Sequence, residues 1–172
     1  MAVEIVATIG GETANSFITS EEMTQYCDGR IGATAFWNEE DEELTSALVE
    51  ATRDITVLKF RGTRVSDLQA LAWPRNGAVN PDGGSDFLPT LIPQRVKDAT
   101  AELALQYLKA GETDLALADG NRGVIEKTVG PLTTRWESSQ TRALGMARFP
   151  RIQHLLAPLL LPSTGGIRLV RV

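Results

Sequence analysis

The segment from Val96 to Leu108 confines its polar side chains almost entirely to one strip of a helical surface. With 3.6 residues per turn, Asp98, Glu102 and Gln106 fall on that strip, and Lys109 lies near its end. Most of the remaining circumference is apolar, and a helix with so wide an apolar surface has to be covered on several sides. The segment therefore predicts a helix at the centre of a bundle, or one covered by a neighbouring subunit.

Two further helices are predicted upstream, and Pro93 suits the start of the central one. Thr19 and Glu22 have the spacing of a capping box, which predicts a helix running to about Arg30. The next helix opens in the acidic run at residues 38–43, whose charges suit the positive end of a helix dipole. The apolar face of that helix recurs at helical spacing: Leu44, Ala47, Leu48, Ala51 and Ile55.

The C-terminal part of the chain adds a hairpin and a short helix. Residues 124–129 and 132–136 flank Gly130-Pro131 and predict an antiparallel β-hairpin. Residues 151–160 predict a short apolar helix between two prolines. The fold class is thus mainly α, a bundle of about four helices with a small β-hairpin and an extended C-terminal arm. Its core is predicted to include Leu44, Leu48, Val96, Leu103 and Tyr107.

The domain organisation follows from the glycine- and proline-rich stretches. Residues 1–162 are predicted to form one domain, with a long turn-rich loop at about 76–92 and the hairpin within about 124–137. Residues 163–172 form a C-terminal arm, in which a glycine spacer precedes a strand-forming hexapeptide. We expect the hexapeptide to add a strand to the sheet of a partner or neighbouring subunit. The alternative is that it folds back on the chain's own hairpin. Its residues are Ile167, Arg168, Leu169, Val170, Arg171 and Val172.

The run Trp73-Pro74-Arg75 stands at the edge of the long loop. Pro74 stops any regular element, and the residues that follow favour a turn. Two interpretations are open: Trp73 anchors the loop to the core, or the run is a surface that contacts a partner. We expect Trp73 to be buried against the bundle and the loop beyond it to face a partner.

The sequence offers no motif for catalysis, a cofactor or a metal ion. His154 is the only histidine and lies in an apolar stripe, which is more typical of a packed or half-exposed side chain than of a general base. Cys27 is the only cysteine and is predicted to be a buried thiol. The acidic run at residues 38–43 lacks the glycine bend of a calcium loop and is interpreted as a solvated helix cap. We expect neither an enzyme nor, since no long apolar run or signal peptide is present, a membrane protein.

The charge of the chain is divided unevenly along its length. The net charge is −5, but residues 1–58 hold 12 acidic and two basic residues. From residue 138 to the end there are five arginines and no acid. A chain of this kind can stack head to tail with its own copies or dock a partner by one end. A solvated acidic face with scattered arginines is the alternative.

Several segments together resemble head–tail connector proteins of tailed bacteriophages, also called adaptor or head-completion proteins. Members of this group are often described as DnaT-like single-stranded-DNA-binding proteins. The similar segments are ANSFITSEEMTQYCDGRIG, LVEATRDI, QALAWPRNG, IPQRVKDATAELAL, EKTVGPL, RIQHLLAPLL and the tail RLVRV. They come in the family's order and cover nearly the whole chain, and LAWPR is the most distinctive. Phe17 stands where the family has tyrosine, a small departure.

The resemblance implies a virion protein at the head–tail interface, present in the host cytoplasm during assembly. Such a protein forms a ring, usually of twelve copies, between the portal and a tail-side stopper or tail-terminator protein. Double-stranded DNA passes through the lumen of the ring without specific binding, and the family has no catalytic residue. Because a conduit should repel DNA, we expect acids of one run to line the lumen: Glu39, Glu40, Asp41, Glu42 and Glu43.

A single-stranded-DNA-binding module is the alternative function. The net negative charge and the lack of a basic stripe with interleaved aromatic residues count against it. The arginine-rich last fifth of the chain counts in its favour, and strong salt-dependent affinity for single strands would support it.

Overall fold

The computed structural model describes residues 3–37, 42–110, 126–129, 132–135 and 149–162, and the side chains of 3–37, 45–109 and 149–162. Four helices lie in this part of the chain: α1 (Ser20–Asp28), α2 (Glu42–Thr56), α3 (Gln94–Ala110) and α4 (Pro150–Leu156). Two short antiparallel pairs accompany them. One is β1 (Thr63–Arg64) with β2 (Arg75–Asn76), and the other is β3 (Glu126–Val129) with β4 (Leu132–Arg135). The fold is mainly α with a small hairpin, as the sequence predicts.

Helix α1 begins with the predicted capping box. The backbone amide of Glu22 donates to Thr19 Oγ1 (3.2 Å), and the amide of Thr19 donates to Glu22 Oε2 (3.1 Å). Each bond satisfies an amide that the first turn would otherwise leave unbonded. The helix ends at Asp28, two residues earlier than predicted, and Arg30 lies in the turn that follows.

Helix α3 is the centre of the bundle within its own chain. It packs against α1, α2 and α4, and the amides of Val96 and Lys97 donate to the carbonyl of Pro93 just before its first residue. The predicted polar strip is not a solvent-facing strip, however. Asp98 and Gln106 are half-buried and Lys109 is exposed, but Glu102 is buried at 2% exposure. Charged partners on neighbouring elements make that burial possible.

The predicted buried residues lie in one continuous core. Leu48, Val96, Leu103 and Tyr107 are all buried, which confirms four of the five core predictions. The side chain of Leu44 lies outside the described residues. The same core contains side chains from all four helices, including Met23 and Cys27 of α1 and Ile152 and Leu156 of α4.

Helix α4 is shorter than predicted, ending at Leu156 instead of about Leu160. Pro158 lacks the amide hydrogen that a continuing helix needs, and residues 157–159 form a turn before the chain reaches the Phe60–Leu160 bridge. The amide of Leu161 donates to the carbonyl of Lys59 (2.8 Å), and the amide of Arg61 donates to that of Leu159 (2.9 Å). The chain that leaves the core after α4 is thereby paired with the chain that leaves α2.

The hairpin and the long loop are both found near their predicted positions. In the hairpin, Val129 pairs with Leu132 and Glu126 with Arg135. The long loop closes through a bridge between Val79 and Asp86. No helix in the described part of the chain is long and apolar enough to cross a bilayer.

The central position of α3 can be tested by a substitution in its buried core. Leu103 is fully buried, so Leu103→Ala removes packed methyl groups and should lower the free energy of unfolding by about 2–5 kcal/mol. Leu68 is 69% exposed, and the matched substitution Leu68→Ala should change it by less than about 0.5 kcal/mol. Urea denaturation measures both, and equal effects would contradict the central position of α3.

Candidate interaction surface

Trp73 anchors the long loop to the core. Its side chain is 1% exposed, and the rings of Phe60 and Phe87 approach it edge-on with centroids 5.7 Å away in each case. Edge-to-face pairs of this kind add to the stabilisation from burial alone. Phe60 lies four residues after α2, Trp73 two residues before β2, and Phe87 directly after the Val79–Asp86 bridge, so the three rings fix these segments to one another. Of the two interpretations of the Trp73 run, the anchor is the one that the structure shows.

Pro74 and Arg75 are also engaged within the chain. The Trp73–Pro74 peptide is cis and Pro74 is buried. The guanidinium of Arg75 donates to the backbone carbonyls of Arg61 (2.7 Å) and Ala72 (3.0 Å). It also donates to two carbonyls close to Arg61, those of residues 60 (3.3 Å) and 62 (2.6 Å). Whether any part of this run contacts a partner stays a prediction, and the buried side chains of Trp73 and Pro74 are not open to one in the single chain.

The close approach of β1 and β2 depends on a glycine. Gly62 has a φ of +75°, in the left-handed region, and an added Cβ would lie 2.3 Å from the carbonyl oxygen of Asn76. Any other residue there would clash with the backbone of the opposite strand. Gly62 therefore lets Arg75 reach across the paired strands β1 and β2 to the carbonyls that it binds.

Four cations lie in the segment between the end of α2 and the end of β2. We call Lys59, Arg61, Arg64 and Arg75 the basic ribbon. The first three are exposed and Arg75 is half-buried. Burial, and secondly the charge of Arg64, lower the pKa of Arg75, although a guanidinium stays charged at neutral pH. None of the four forms an ion pair with a carboxylate in the described part of the chain.

Apolar side chains adjoin the basic ribbon along the chain. Val57 is 79% exposed and precedes Lys59 by two residues, and Val65 follows Arg64 directly. Leu68, three residues after Val65, is 69% exposed. The surface therefore combines positive charge with accessible apolar area, a composition found where proteins bind partners.

A second charged cluster is buried and structural. The carboxylate of Glu102, whose side chain is 3% exposed, accepts hydrogen bonds from Arg30 Nη2 (2.7 Å) and Nε (2.9 Å). It also accepts from Tyr26 Oη (3.0 Å) and Gln106 Nε2 (3.1 Å). Arg151 Nε of α4 lies 3.5 Å from the same carboxylate. Glu102 thus joins α3 to α1, to the turn after α1 and to α4.

The charges of this cluster are set by its own hydrogen bonds. Burial acts to raise the pKa of Glu102, but the hydrogen bonds from Arg30 and Tyr26 and the charge of Arg30 outweigh it and hold the pKa below 4.5. Burial, followed by the charge and hydrogen bond of Glu102, raises the pKa of Tyr26 to about 12. Burial also raises the pKa of Cys27 to about 11, so this buried thiol is neutral at physiological pH, as expected.

A cleft of about 260 Å³ lies between the start of α1 and the start of α3. Glu22 and Lys97 form an ion pair at its wall, and Gln25, Gln94 and Asp98 also line it. Among the residues whose side chains are described, no three histidine, cysteine or carboxylate groups converge as metal ligands would. The structure gives this cleft no chemical feature beyond its mixed polarity.

The remaining predicted site residues are not described at side-chain level. The arm residues, Ile167 to Val172, lie outside the described residues. Of the acidic run, residues 39–41 also lie outside them, whereas Glu42 and Glu43 have a described backbone in the first turn of α2. The structure therefore tests neither the lumen prediction nor the arm prediction.

Sequence reasoning missed the basic ribbon and the role of Glu102. The ribbon was visible as the run KFRGTR at residues 59–64, in which cations alternate with other residues after a β-branched stretch. Glu102 had no such signal, because its partners Arg30 and Arg151 are far away in the chain.

Comparison with known proteins identifies the family. Residues 1–172 match the family described as "Putative DnaT-like ssDNA binding protein", and the chain belongs to it. No curated protein matches the chain, and no solved structure does.

The Glu102 cluster predicts a pH-dependent contribution to stability. Glu102→Gln removes the charge that faces Arg30 and should lower the free energy of unfolding at pH 7 by roughly 1.5–3 kcal/mol. Because the folded pKa of Glu102 is depressed, this contribution is present above pH 4.5 and is lost as the pH falls through the folded value. The gap between wild type and variant should therefore close in acid, as measured by urea denaturation at several pH values.

Asp98 supplies the matched control on the same helix. Its carboxylate accepts one hydrogen bond, from Gln94 at the surface, so Asp98→Asn should change stability by less than about 0.5 kcal/mol. A gap for Glu102→Gln that stays constant from pH 7 to pH 3 would show that the charge of Glu102 is not what stabilises the bundle.

Proposed function

We propose that the protein is a structural subunit of the ring that joins the portal of a tailed-bacteriophage head to its tail. The observation that carries the proposal is the ordered set of connector-like segments along nearly the whole chain. The most distinctive of them, LAWPR, contains the Trp73 anchor and the Arg75 clamp. The segment that resembles the family most is therefore one on which the loop and the ribbon both depend.

The surface of the protein supports an assembly role. The cations of the basic ribbon form no ion pair with a carboxylate in the described part of the chain, and Val57 and Leu68 are exposed close to them in the sequence. Positive charge of this kind suits the docking of an acidic protein surface.

The proposed partners are further copies of the chain, the portal protein and a tail-side stopper or tail-terminator protein. The ring would hold about twelve copies, as connector rings of this group usually do. In this proposal double-stranded DNA passes through the lumen, and acids among Glu39–Glu43 keep its phosphates from adhering. The protein then belongs to the virion, at the head–tail interface, and to the host cytoplasm before assembly.

A second candidate is a single-stranded-DNA-binding module, and the description of the family favours it directly. The positive charge of the basic ribbon also suits phosphates. Proteins that hold single strands without sequence preference usually stack bases on exposed aromatic rings. Among the phenylalanine, tyrosine and tryptophan side chains that the structure describes, Phe36 is the one exposed by more than about a third, and Lys109 Nζ lies 5.5 Å from the centroid of its ring. The geometry therefore supports assembly better than single-strand binding.

The two functions make opposite predictions for one pair of measurements. A connector should convert heads that lack it into heads that accept tails, and should bind single-stranded oligonucleotides only weakly at about 150 mM salt. A single-strand-binding module should bind them tightly in fluorescence anisotropy, with an affinity that falls steeply as salt rises. Tight, salt-dependent oligonucleotide binding without restoration of head–tail joining would contradict the connector proposal.

The arm supplies a second prediction about attachment. Ordering six residues costs on the order of 6–12 kcal/mol of backbone entropy, so the hexapeptide should become ordered only when it pairs with a partner. Deleting residues 167–172 should leave the melting temperature almost unchanged and abolish attachment to heads. A second variant, which keeps the length of the chain but replaces Ile167, Leu169 and Val170 with serine, should also fail to attach to heads. Normal attachment, or a melting temperature several degrees lower, would show that the arm is an internal strand.

A further inference from the structure

The basic ribbon carries positive charge that its own described chain does not neutralise. Lys59, Arg61 and Arg64 are exposed, and the described ion pairs of the chain all involve other cations. The two nearest acids in the sequence are Asp54 and Asp67, and Asp54 accepts a hydrogen bond from Tyr107. An exposed group of like charges favours a partner of opposite charge.

The strongest concentration of opposite charge lies at the other end of α2. The acidic run Glu39–Glu43 leads into the first turn of that helix, whereas the basic ribbon begins three residues after its last. Fifteen helical residues separate the two by about 20 Å along the helix axis. The two ribbon strands pack against each other. In the sequence, the acidic run therefore precedes α2 and the basic ribbon follows it.

The neighbours of the basic ribbon favour a protein partner over a nucleic acid. Val57, Val65 and Leu68 are exposed beside the cations, and the nearby rings of Phe60 and Trp73 are 2% and 1% exposed. A phosphate backbone needs cations but gains nothing from exposed valine and leucine, and buried rings cannot stack on bases. A protein segment that brings carboxylates can cover the apolar side chains as well.

We infer that the basic ribbon binds the acidic segment Glu39–Asp41 of a second copy of this chain, so that copies associate head to tail. The inference rests on the proposed function, because a ring needs a contact between copies that uses two different surfaces. A heterologous contact of this kind closes into a ring when the rotation between copies closes. Opposite charge at the two ends of one helix gives each copy both halves of the contact.

The proposed contact reduces the number of acidic residues that are predicted to line the lumen. Glu39, Glu40 and Asp41 precede α2 and are assigned to the contact between copies. Glu42 and Glu43 belong to the first turn of α2 and remain the candidates for the lumen.

Charge reversal in two separate variants tests the contact. The ribbon variant carries Lys59→Glu, Arg61→Glu and Arg64→Glu, and the acidic-segment variant carries Glu39→Lys, Glu40→Lys and Asp41→Lys. Arg75 is left unchanged because it holds the ribbon together. Sedimentation velocity of the full-length protein at low ionic strength measures association. Wild type should form species larger than the monomer that dissociate as salt is raised, since exposed charges are screened. Each variant should associate at least about tenfold more weakly.

Mixing the two variants separates a contact between copies from a role inside one chain. The acidic segment of the ribbon variant can bind the unchanged ribbon of the other, and the reversed pair can bind in the opposite sense. Association should therefore return in the mixture, and also in a chain that carries all six substitutions. A contact within one chain would be restored in the six-fold variant but not in the mixture.

A control variant, a replacement variant and a separate measurement distinguish the outcomes. A variant with Arg53→Glu, Arg95→Glu and Lys109→Glu changes the net charge equally but leaves the ribbon intact, and should associate like wild type. If the ribbon variant fails to fold by circular dichroism, glutamine at the same three positions replaces it. Head–tail joining is scored separately, so association that behaves as expected without joining would overturn the connector proposal alone.

The inference is overturned if wild type is monomeric at all concentrations and salts, or if the mixture does not associate. It is also overturned if the ribbon variant associates normally but loses binding to a single-stranded oligonucleotide, since the ribbon would then be a nucleic-acid site.

Discussion

Glu102 holds the bundle together from its centre, because one carboxylate on α3 is bound by side chains of three other elements. A buried carboxylate without partners would be costly, and Arg30, Tyr26 and Gln106 provide the hydrogen bonds that offset that cost. Since Arg30 lies just beyond α1, the same bonds tie the turn after α1 to α3. The apolar packing of α3 supplies most of the burial, and the carboxylate adds polar links from α3 to α1 and to Arg151 of α4.

The sequence predicted well the features that depend on local pattern. The capping box of Thr19 and Glu22, the apolar face of α2 and the strand pairing of residues 126–129 with 132–135 each have their whole signal within a few residues. Features that join distant segments were not predictable in this way. The burial of Glu102 depends on Arg30 and Arg151, which are distant in the sequence. The pairing of residues 59–61 with 159–161 is likewise a tertiary contact.

The candidate site shows the same division. The burial of Trp73 was expected, since a large ring beside a proline at the edge of a loop commonly anchors it. Arg75 was interpreted as a possible contact, but its guanidinium is bound to carbonyls of its own chain, which no spacing rule reveals. The arginines near the C-terminus dominate the positive charge along the sequence, so the basic ribbon does not stand out in it. Charge counted over long windows hides a cluster that folding brings together.

The pairing of residues 59–61 with 159–161 also determines how the protein would respond to mechanical force. The chain leaves the described fold after Pro162, one residue beyond the amide that Leu161 donates to Lys59. Tension applied through the arm would therefore load the two hydrogen bonds around the Phe60–Leu160 bridge before it reached any helix. From there the load passes to Phe60, whose ring packs against Trp73 in the core. An arm pulled by a partner would thus be resisted at the aromatic anchor, not at the short helix α4.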